Sequence, residues 1–265
     1  MGLDDAVADR LWTAVIPVKG FTAAKSRLAL PAAAELAEAF LADVLGAVHA
    51  CPQVESTIVV TADPDVADLA GRLGASVVPE SSSGINAAAA DGAAAARDGA
   101  PVVVLVADLP CLTAETLGHV LDAAAAHPAS FLADADGLGT AMWCGTSVPV
   151  RTEFGIGSRS AHAASGAVDL VVEHPDTQWA PARRDVDTAA DLADAAVLGV
   201  GPATQVLISD LAVVTVVSID APSPHGLRVV DEQGQVAPME PPTGIGPLRP
   251  GQRLLRFGGQ LVGLH

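Results

Sequence analysis

Short runs of β-branched and aliphatic residues alternate with alanine-rich stretches between Trp12 and Leu198. Compact apolar runs predict buried strands, and apolar residues repeating every three or four positions predict helices. The predicted strands are Trp12–Val18, Thr57–Ala62, Ala75–Pro79, Pro101–Ala107, Ser130–Ala133 and Thr140–Cys144. The predicted helices are Pro31–Ala50, Asp65–Leu73, Asn86–Arg97, Thr113–His127 and Thr188–Leu198. This alternation predicts a three-layer α/β fold with a mostly parallel sheet.

The run Pro101–Ala107 is the most hydrophobic of the predicted strands. A strand of a parallel sheet that is covered on both faces has this continuous apolar character. We therefore expect it at the centre of the sheet.

The pattern changes after Gly201, where prolines and glycine turns separate β-rich segments. Val206–Ile219, Leu227–Asp231 and Arg253–Val262 predict strands, and no helical pattern accompanies them. We therefore predict an α/β domain over 1–204 and a small all-β module over 205–265.

That module faintly resembles a cold-shock-like β-barrel. Barrels that bind nucleic acid stack bases on aromatic side chains in a basic groove. The module has one aromatic residue, Phe257, and four arginines against five acidic residues. We expect a structural or protein-contact role for it rather than nucleic-acid binding.

The net charge of the chain argues against some classes of binding partner. The 265 residues carry a formal charge of −17, which opposes general attraction to nucleic acid or an anionic membrane. No apolar stretch approaches the length that spans a bilayer. Cys51, Cys111 and Cys144 form no paired motif for zinc or disulfides. We expect a soluble protein of the reducing cytoplasm.

Both lysines of the chain, Lys19 and Lys25, lie in one loop between the first strand and the first helix. Arg27, Ser26 and the small Gly20 accompany them. Loops at the carboxyl ends of strands in open α/β sheets bind anions, and three cations suit a triphosphate. The alternative is an ordinary solvated loop, and the spacing of a Walker motif is absent.

Two acidic segments follow or precede regular elements. Asp108 directly follows the most hydrophobic strand, and Asp185 and Asp187 precede a helix that Thr188 would cap. Asp108 and Asp187 could together hold a divalent cation that bridges phosphates. The alternatives are a plain turn at Asp108 and a helix cap at the second segment.

Three further segments join polar or glycine-rich turns to predicted elements. Gly137–Cys144 and Phe154–His162 expose backbone donors that suit a phosphate or carboxylate. Glu80 and Asn86 precede an alanine-rich helix, where Asn86 could cap the helix or contact a base or ribose.

In order, these segments resemble the phosphoenolpyruvate or 2-phospho-L-lactate guanylyltransferases of deazaflavin coenzyme biosynthesis. The resemblance rests on PVKGFTAAKSRLA, VVTADPDV, VPESSSGINAA, VLVADLPCL, GTAMW, FGIGSRSAHAASGA and DVDTAADL, which span about residues 12–200. It implies a nucleotide-diphosphosugar-transferase-like fold. It also implies transfer of GMP from GTP to a phosphorylated three-carbon acid, with release of pyrophosphate and with Mg²⁺ as cofactor.

The resemblance implies a role for each matched residue. Lys19, Lys25 and Arg27 would act on the GTP phosphates, with Ser26, Thr61, Ala62, Asp63, Glu80, Gly84 and Asn86 binding the nucleotide. Thr140, Gly155 and Ser158 would bind phosphoenolpyruvate, and Asp108 and Asp187 would bind magnesium. Met142 and Trp143 are larger than expected after Gly-Thr, which bears on the shape of the acid pocket. The transferase that takes up the product is a further candidate partner.

The residues also leave alternatives open. Asp134-x-Asp136 imitates the metal motif of glycosyltransferases, and a catalytically silent GTP-binding module would need the same cationic loop. The chain offers no clear Ser-His-Asp set, and an ionised phosphate nucleophile needs no general base. Phosphoenolpyruvate and 2-phospho-L-lactate are both candidate acids.

Overall fold

The computed structural model describes the greater part of the chain and contains two β-sheets. The described residues are 11–21, 32–146, 149–175, 179–219, 227–240 and 247–264. The predicted nucleotide contacts Lys25, Ser26 and Arg27 lie outside these ranges.

The larger sheet has seven strands in the order β3-β2-β1-β4-β6-β5-β7. Its strands are β1 (Trp12–Pro17), β2 (Val54–Thr61), β3 (Ser76–Pro79), β4 (Val102–Leu105), β5 (Ala129–Ala133), β6 (Thr140–Gly145) and β7 (Val168–Asp169). Strand β6 runs antiparallel to both of its neighbours, and the remaining pairs are parallel. The mostly parallel α/β fold is confirmed, and β4 occupies the predicted central position.

Nine helices occur within the described ranges. They are α1 (Ala33–Ala50), α2 (Pro64–Arg72), α3 (Ile85–Ala95), α4 (Ala114–Ala124), α5 (Ser158–Ala164), α6 (Leu170–Glu173), α7 (Ala180–Arg183), α8 (Ala189–Leu198) and α9 (Pro202–Leu207). Among them, none is both long and apolar enough to cross a bilayer. The five predicted helices are confirmed to within a few residues at each end.

The alanine-rich sequence of α3 has a packing reason. Ala88 and Ala89 are buried against one face of the sheet, next to Val15 and Val60. A side chain at Gly92 would clash with Val15. Small residues therefore let this helix approach the sheet closely, while α1 and α4 cover the opposite face with larger side chains.

The smaller sheet is antiparallel and has the order β10-β9-β8-β11-β12. Its strands are β8 (Ala212–Ile219), β9 (Leu227–Asp231), β10 (Val236–Met239), β11 (Arg253–Phe257) and β12 (Gln260–Gly263). The predicted all-β character of this segment is confirmed, and β10 is a strand that the sequence pattern had not indicated.

The start of the predicted strand Val206–Ile219 is wrong, because helix α9 extends to Leu207. Pro202 occupies a first-turn position where its missing N–H costs nothing. The buried Asp43 carboxylate of α1 accepts hydrogen bonds from the N–H groups of Ala203 and Thr204, both at 2.9 Å. A cap supplied by a distant helix therefore stabilises a turn of helix whose own sequence favours a strand.

Strand β11 is buried on both faces, one in the core of the smaller sheet and the other against the α/β domain. Leu254 points into the core of the smaller sheet with Val214 and Val229. Leu255 and Phe257 point into a second cluster, which contains Leu36 and Phe40 of α1, Cys111, Val186, and Ala189, Leu192 and Ala195 of α8. The C-terminal module thus shares a hydrophobic core with the α/β domain.

Candidate active site

A cavity of about 810 Å³ lies at the edge of the large sheet where β1 and β4 end. Strand β6 runs in the opposite direction, so its first residue, Thr140, lies at the same edge. The cavity is lined by seven of the predicted site residues: Lys19, Glu80, Asp108, Thr140, Gly155, Ser158 and Asp187. Segments far apart in sequence therefore meet at one cavity.

Acidic side chains occupy the side of the cavity between β4 and α8. The backbone N–H of Val186 donates to the carbonyl of Asp108 at 3.0 Å, which holds the two acidic segments together. Asp185 also lines the cavity, and its pKa is raised to about 7 by burial and then by the charges of Asp108 and Asp134. This concentration of negative charge favours a bound cation.

The donor set fits a magnesium ion that is held partly by its substrate. Within the described ranges, no group of three or more His, Cys, Asp or Glu side chains is arranged to hold a metal. Mg²⁺ is commonly held by one or two carboxylates together with waters and substrate phosphates. Asp108 and Asp187 supply hard oxygen donors of this kind beside the cavity.

The backbone next to Lys19 has a conformation that favours glycine at position 20. Gly20 has φ +129°, and a side chain there would clash with the carboxylate of Asp63. Asp63 accepts hydrogen bonds from the N–H groups of Asp65 at 2.9 Å and Val66 at 3.4 Å, so it caps α2. The exposed Lys19 is therefore carried on a turn that packs against a helix cap.

The residues predicted for the nucleotide divide into two groups. Glu80 lines the cavity, and its Oε1 accepts a hydrogen bond from the Gly84 N–H at 2.9 Å. Thr61, Ala62, Asp63, Gly84 and Asn86 are not among the residues that line it within the described chain. Their assignment to the nucleotide stays a prediction.

Asn86 makes three hydrogen bonds to the loop that follows residue 151. Its Oδ1 accepts from the Thr152 hydroxyl and from the Phe154 N–H, both at 2.8 Å. Its Nδ2 donates to the Phe154 carbonyl at 3.0 Å. Asn86 therefore fixes the loop that carries Gly155.

The candidate glycosyltransferase motif has the geometry of a turn. Both carboxylate oxygens of Asp134 accept backbone N–H groups, from Leu138 at 3.0 Å and Gly139 at 2.7 Å. Asp136 is exposed, and its carboxylate lies 3.8 Å from the Arg184 guanidinium. The two aspartates therefore have different structural surroundings.

Met142 and Trp143 do not narrow the cavity as their size had suggested. Both side chains are buried in the cores on either side of β6, and neither is among the described residues that line the cavity. Trp143 covers Gly145, where a side chain would clash with the indole ring.

His162 lies in one of the motifs without having been predicted as a site residue, and it contacts Thr140, which lines the cavity. It is fully buried, and its Nδ1 lies 2.9 Å from the Thr140 hydroxyl oxygen. Its Nε2 accepts a hydrogen bond from the Glu153 N–H at 2.8 Å. A signal was present, because His162 follows Ser158 by four positions and so falls on the same helical face.

An open, mostly parallel sheet with a lysine and several carboxylates around a cavity at the ends of its strands is typical of nucleotide-binding α/β proteins. The family model described as guanylyl transferase CofC like matches residues 12–230. This chain therefore belongs to the CofC-like guanylyltransferase family, which confirms the resemblance inferred from its motifs.

Curated relatives agree with the family. A phosphoenolpyruvate guanylyltransferase of Salinispora arenicola is 46% identical over 206 residues, covering 75% of this chain and 94% of the relative. The phosphoenolpyruvate guanylyltransferase of Thermomonospora curvata is 45% identical over 208 residues, covering 76% of this chain and 90% of the relative. A solved protein of Desulfovibrio desulfuricans G20, described as a nucleotide-diphospho-sugar transferase, aligns at 15% identity with a TM-score of 0.48, covering 71% and 96%. This chain is thus longer than the first two relatives.

Proposed function

We propose that this protein transfers GMP from GTP to the phosphate of phosphoenolpyruvate and releases pyrophosphate, as a step of deazaflavin coenzyme biosynthesis. The observation that carries the proposal is the meeting of Lys19, Asp108 and Asp187 with Thr140 and Ser158 around one cavity, in a chain of this family. The names of the relatives support phosphoenolpyruvate as the acid.

In the proposed reaction, an ionised phosphate oxygen of the acid attacks the α-phosphorus of GTP. The new phosphorus–oxygen bond forms as the bond to the β-phosphate breaks, and the electron pair leaves with pyrophosphate. The nucleophile is already ionised at neutral pH, so the protein needs no general base. Its main contributions are alignment of the reacting atoms and stabilisation of the charge that moves onto pyrophosphate.

Lys19 is suited to the charge that develops on the leaving group. It is exposed at the cavity, and an ammonium group on a flexible stem can follow a phosphate as the bond breaks. Lys25, Arg27 and Ser26 are assigned to the same phosphates by their motif. These assignments make the loop the positive side of an otherwise acidic cavity.

Asp108 and Asp187 would hold Mg²⁺ at the same cavity. When bound, the ion would neutralise phosphate charge and orient the triphosphate. The two carboxylates lie on segments joined by the Val186–Asp108 backbone hydrogen bond, so their separation is fixed by the fold. Thr140, Gly155 and Ser158 would hold the three-carbon acid.

A reducing cytoplasm is the proposed location. Cys51, Cys111 and Cys144 are all free and buried. Burial raises the pKa of the Cys111 thiol to about 11 and that of Cys144 to about 12, so both stay protonated.

The decisive experiment measures pyrophosphate release by the purified chain with each of four nucleoside triphosphates and with each of two acids. We expect turnover with GTP and phosphoenolpyruvate in the presence of Mg²⁺. Turnover with 2-phospho-L-lactate alone would replace the proposed acid. Binding of GTP without turnover in any combination would favour the silent GTP-binding alternative, and turnover of a nucleotide sugar would favour a glycosyltransferase.

A further inference from the structure

His162 lies at the junction of the three positions assigned to the acid. Its ring nitrogens contact Thr140 of β6 and the backbone of Glu153, two residues before Gly155. Its helix α5 begins at Ser158. The ring is packed against Phe131 and Phe154, with ring centroids 5.5 Å and 5.3 Å away. These rings bury the imidazole, and its two hydrogen bonds fix its orientation.

The hydrogen bonds define which nitrogen carries the proton. The backbone N–H of Glu153 can only donate, so Nε2 of His162 must accept and carries no proton. A neutral imidazole then has its proton on Nδ1. The Thr140 hydroxyl oxygen is therefore the acceptor in the 2.9 Å contact with Nδ1.

The charge state of the ring agrees with this assignment. Burial lowers the pKa of His162 to about 4, against a smaller opposing effect of a hydrogen bond with the Ser158 backbone. The imidazole is consequently neutral throughout the physiological range, and the same tautomer is kept at any pH where the reaction would be assayed.

The tautomer sets the direction of the Thr140 hydroxyl. One lone pair of its oxygen is used by Nδ1–H, which leaves its own proton to be donated elsewhere. Thr140 lines the cavity, and no second hydrogen bond of its side chain is found within the described residues. The group offered to a ligand is therefore an O–H donor, which matches a carboxylate or phosphate oxygen.

We propose that His162 is a positioning residue that holds the Thr140 hydroxyl as a hydrogen-bond donor to an anionic oxygen of the three-carbon acid. The inference rests on the proposed function, because it takes the acid to bind beside Thr140. His162 itself does not contact the substrate. It acts through Thr140, and the N–H of Glu153 that it accepts fixes its tautomer.

The test compares His162→Leu, His162→Asn and Thr140→Val with the unaltered protein in the pyrophosphate-release assay. Removing a hydrogen bond to a charged group should raise KM for phosphoenolpyruvate about tenfold in His162→Leu and in Thr140→Val. KM for GTP should stay within about twofold, and His162→Asn, which can donate from the Nδ1 position, should recover most of the loss.

The double variant His162→Leu/Thr140→Val separates positioning from general disturbance. If His162 acts through Thr140, the double variant is no worse than Thr140→Val alone, because the shared interaction is already absent. Phe131→Leu is the matched packing control, since it removes a ring that packs against the His162 imidazole without removing a hydrogen bond. We expect it to lower stability while leaving KM for phosphoenolpyruvate within about twofold.

Three results would overturn the inference: additive effects in the double variant, a parallel rise of KM for GTP, or an equal effect of Phe131→Leu. Nitrogen NMR of the histidine side chains, with the His162 signals assigned by their loss in His162→Asn, gives a check that is independent of the leucine variant. A protonated Nδ1 supports the inference, and a protonated Nε2 contradicts it. An unaltered protein without turnover would reject the proposed function instead, whereas turnover with an unchanged KM in His162→Leu rejects only the role of His162.

Discussion

Asp43 and Thr204 are 161 positions apart, and the carboxylate of Asp43 accepts the backbone N–H of Thr204 at 2.9 Å. The other carboxylate oxygen accepts the Ala203 N–H, also at 2.9 Å. A side chain at Gly201 would clash with Asp43, so glycine is required for this close approach. One buried carboxylate thus attaches the connection to the C-terminal module to the long helix α1.

We expect Asp43→Ala to lower the free energy of unfolding by about 2 to 4 kcal/mol, since two buried N–H groups lose a charged acceptor. Urea denaturation followed by circular dichroism measures this change. Asp68→Ala is the matched control, because Asp68 pairs with Arg72 on an exposed helical face. Its effect should be below about 1 kcal/mol. Equal effects of the two substitutions would contradict the capping role.

Lys19→Ala should reduce kcat by more than about tenfold, because a cation that meets developing charge on pyrophosphate is lost. Lys19→Arg should retain more activity than Lys19→Ala, since it keeps the charge while changing its geometry. Single-turnover pyrophosphate release measures the chemical step directly. An unchanged kcat in Lys19→Ala would show that Lys19 only binds the nucleotide or belongs to an ordinary solvated loop.

Asp108→Asn should abolish Mg²⁺-dependent turnover and leave the melting temperature close to that of the unaltered protein. The reason is that an amide keeps the size of the side chain but loses the charge that a divalent cation needs. The measurement is a magnesium titration of pyrophosphate release.

Asp136→Asn is the control for this pair, because Asp136 belongs to the alternative D-x-D motif and is exposed near Arg184. Pyrophosphate release by Asp136→Asn should depend on the Mg²⁺ concentration as it does in the unaltered protein. A loss of magnesium dependence in Asp136→Asn, with retention in Asp108→Asn, would assign the metal to the glycosyltransferase-like motif.

Protonation of His162 should make the protein less stable in mild acid. Its folded-state pKa is about 4, and the unfolded value is near the ordinary 6.5. Between these values the unfolded chain binds the proton that the folded chain excludes. The neutral His162 makes its full contribution to the stability of the folded protein above about pH 6.5. This contribution falls by up to about 1.4 kcal/mol per pH unit on acidification towards pH 4.

Urea unfolding at a series of pH values from neutral down to about 4.5 tests this, with His162→Asn as the comparison. The variant should show a shallower decline over the same window, because an asparagine side chain does not titrate. Parallel curves for the two proteins would mean that other groups cause the acid sensitivity.

Phe257→Ala should lower the free energy of unfolding by about 3 to 5 kcal/mol, because it leaves a cavity in the core shared by the module and the α/β domain. The same core contains Val186, which lies between Asp185 and Asp187. We therefore expect a raised Mg²⁺ requirement as well. Loss of stability without any change in magnesium dependence would limit Phe257 to a structural role.

The sequence pattern predicted the elements that depend on local spacing. The central position of β4 followed from its continuous apolar run, and the ends of the strands brought Lys19, Asp108 and Thr140 to one cavity as expected. In each case, the signal is the apolar run of a strand, whose own residues are close in sequence.

The parts that could not be predicted depend on contacts between distant segments. Helix α9 takes the place of the first residues of the predicted strand Val206–Ile219 because Asp43, on α1, caps it. The role of His162 depends on Thr140 and on the Glu153 backbone, which come together only when β6 and α5 are packed. No periodicity within a single segment contains this information.

The two buried faces of β11 have a consequence for any truncation of this chain. The alignment with the Salinispora arenicola relative covers 75% of this chain and 94% of the relative. In this chain, Leu192 and Ala195 of α8 lie in the same buried cluster as Leu255 and Phe257. Removal of the module from this chain would therefore expose an apolar surface of α8 to water, and we expect the shortened protein to aggregate.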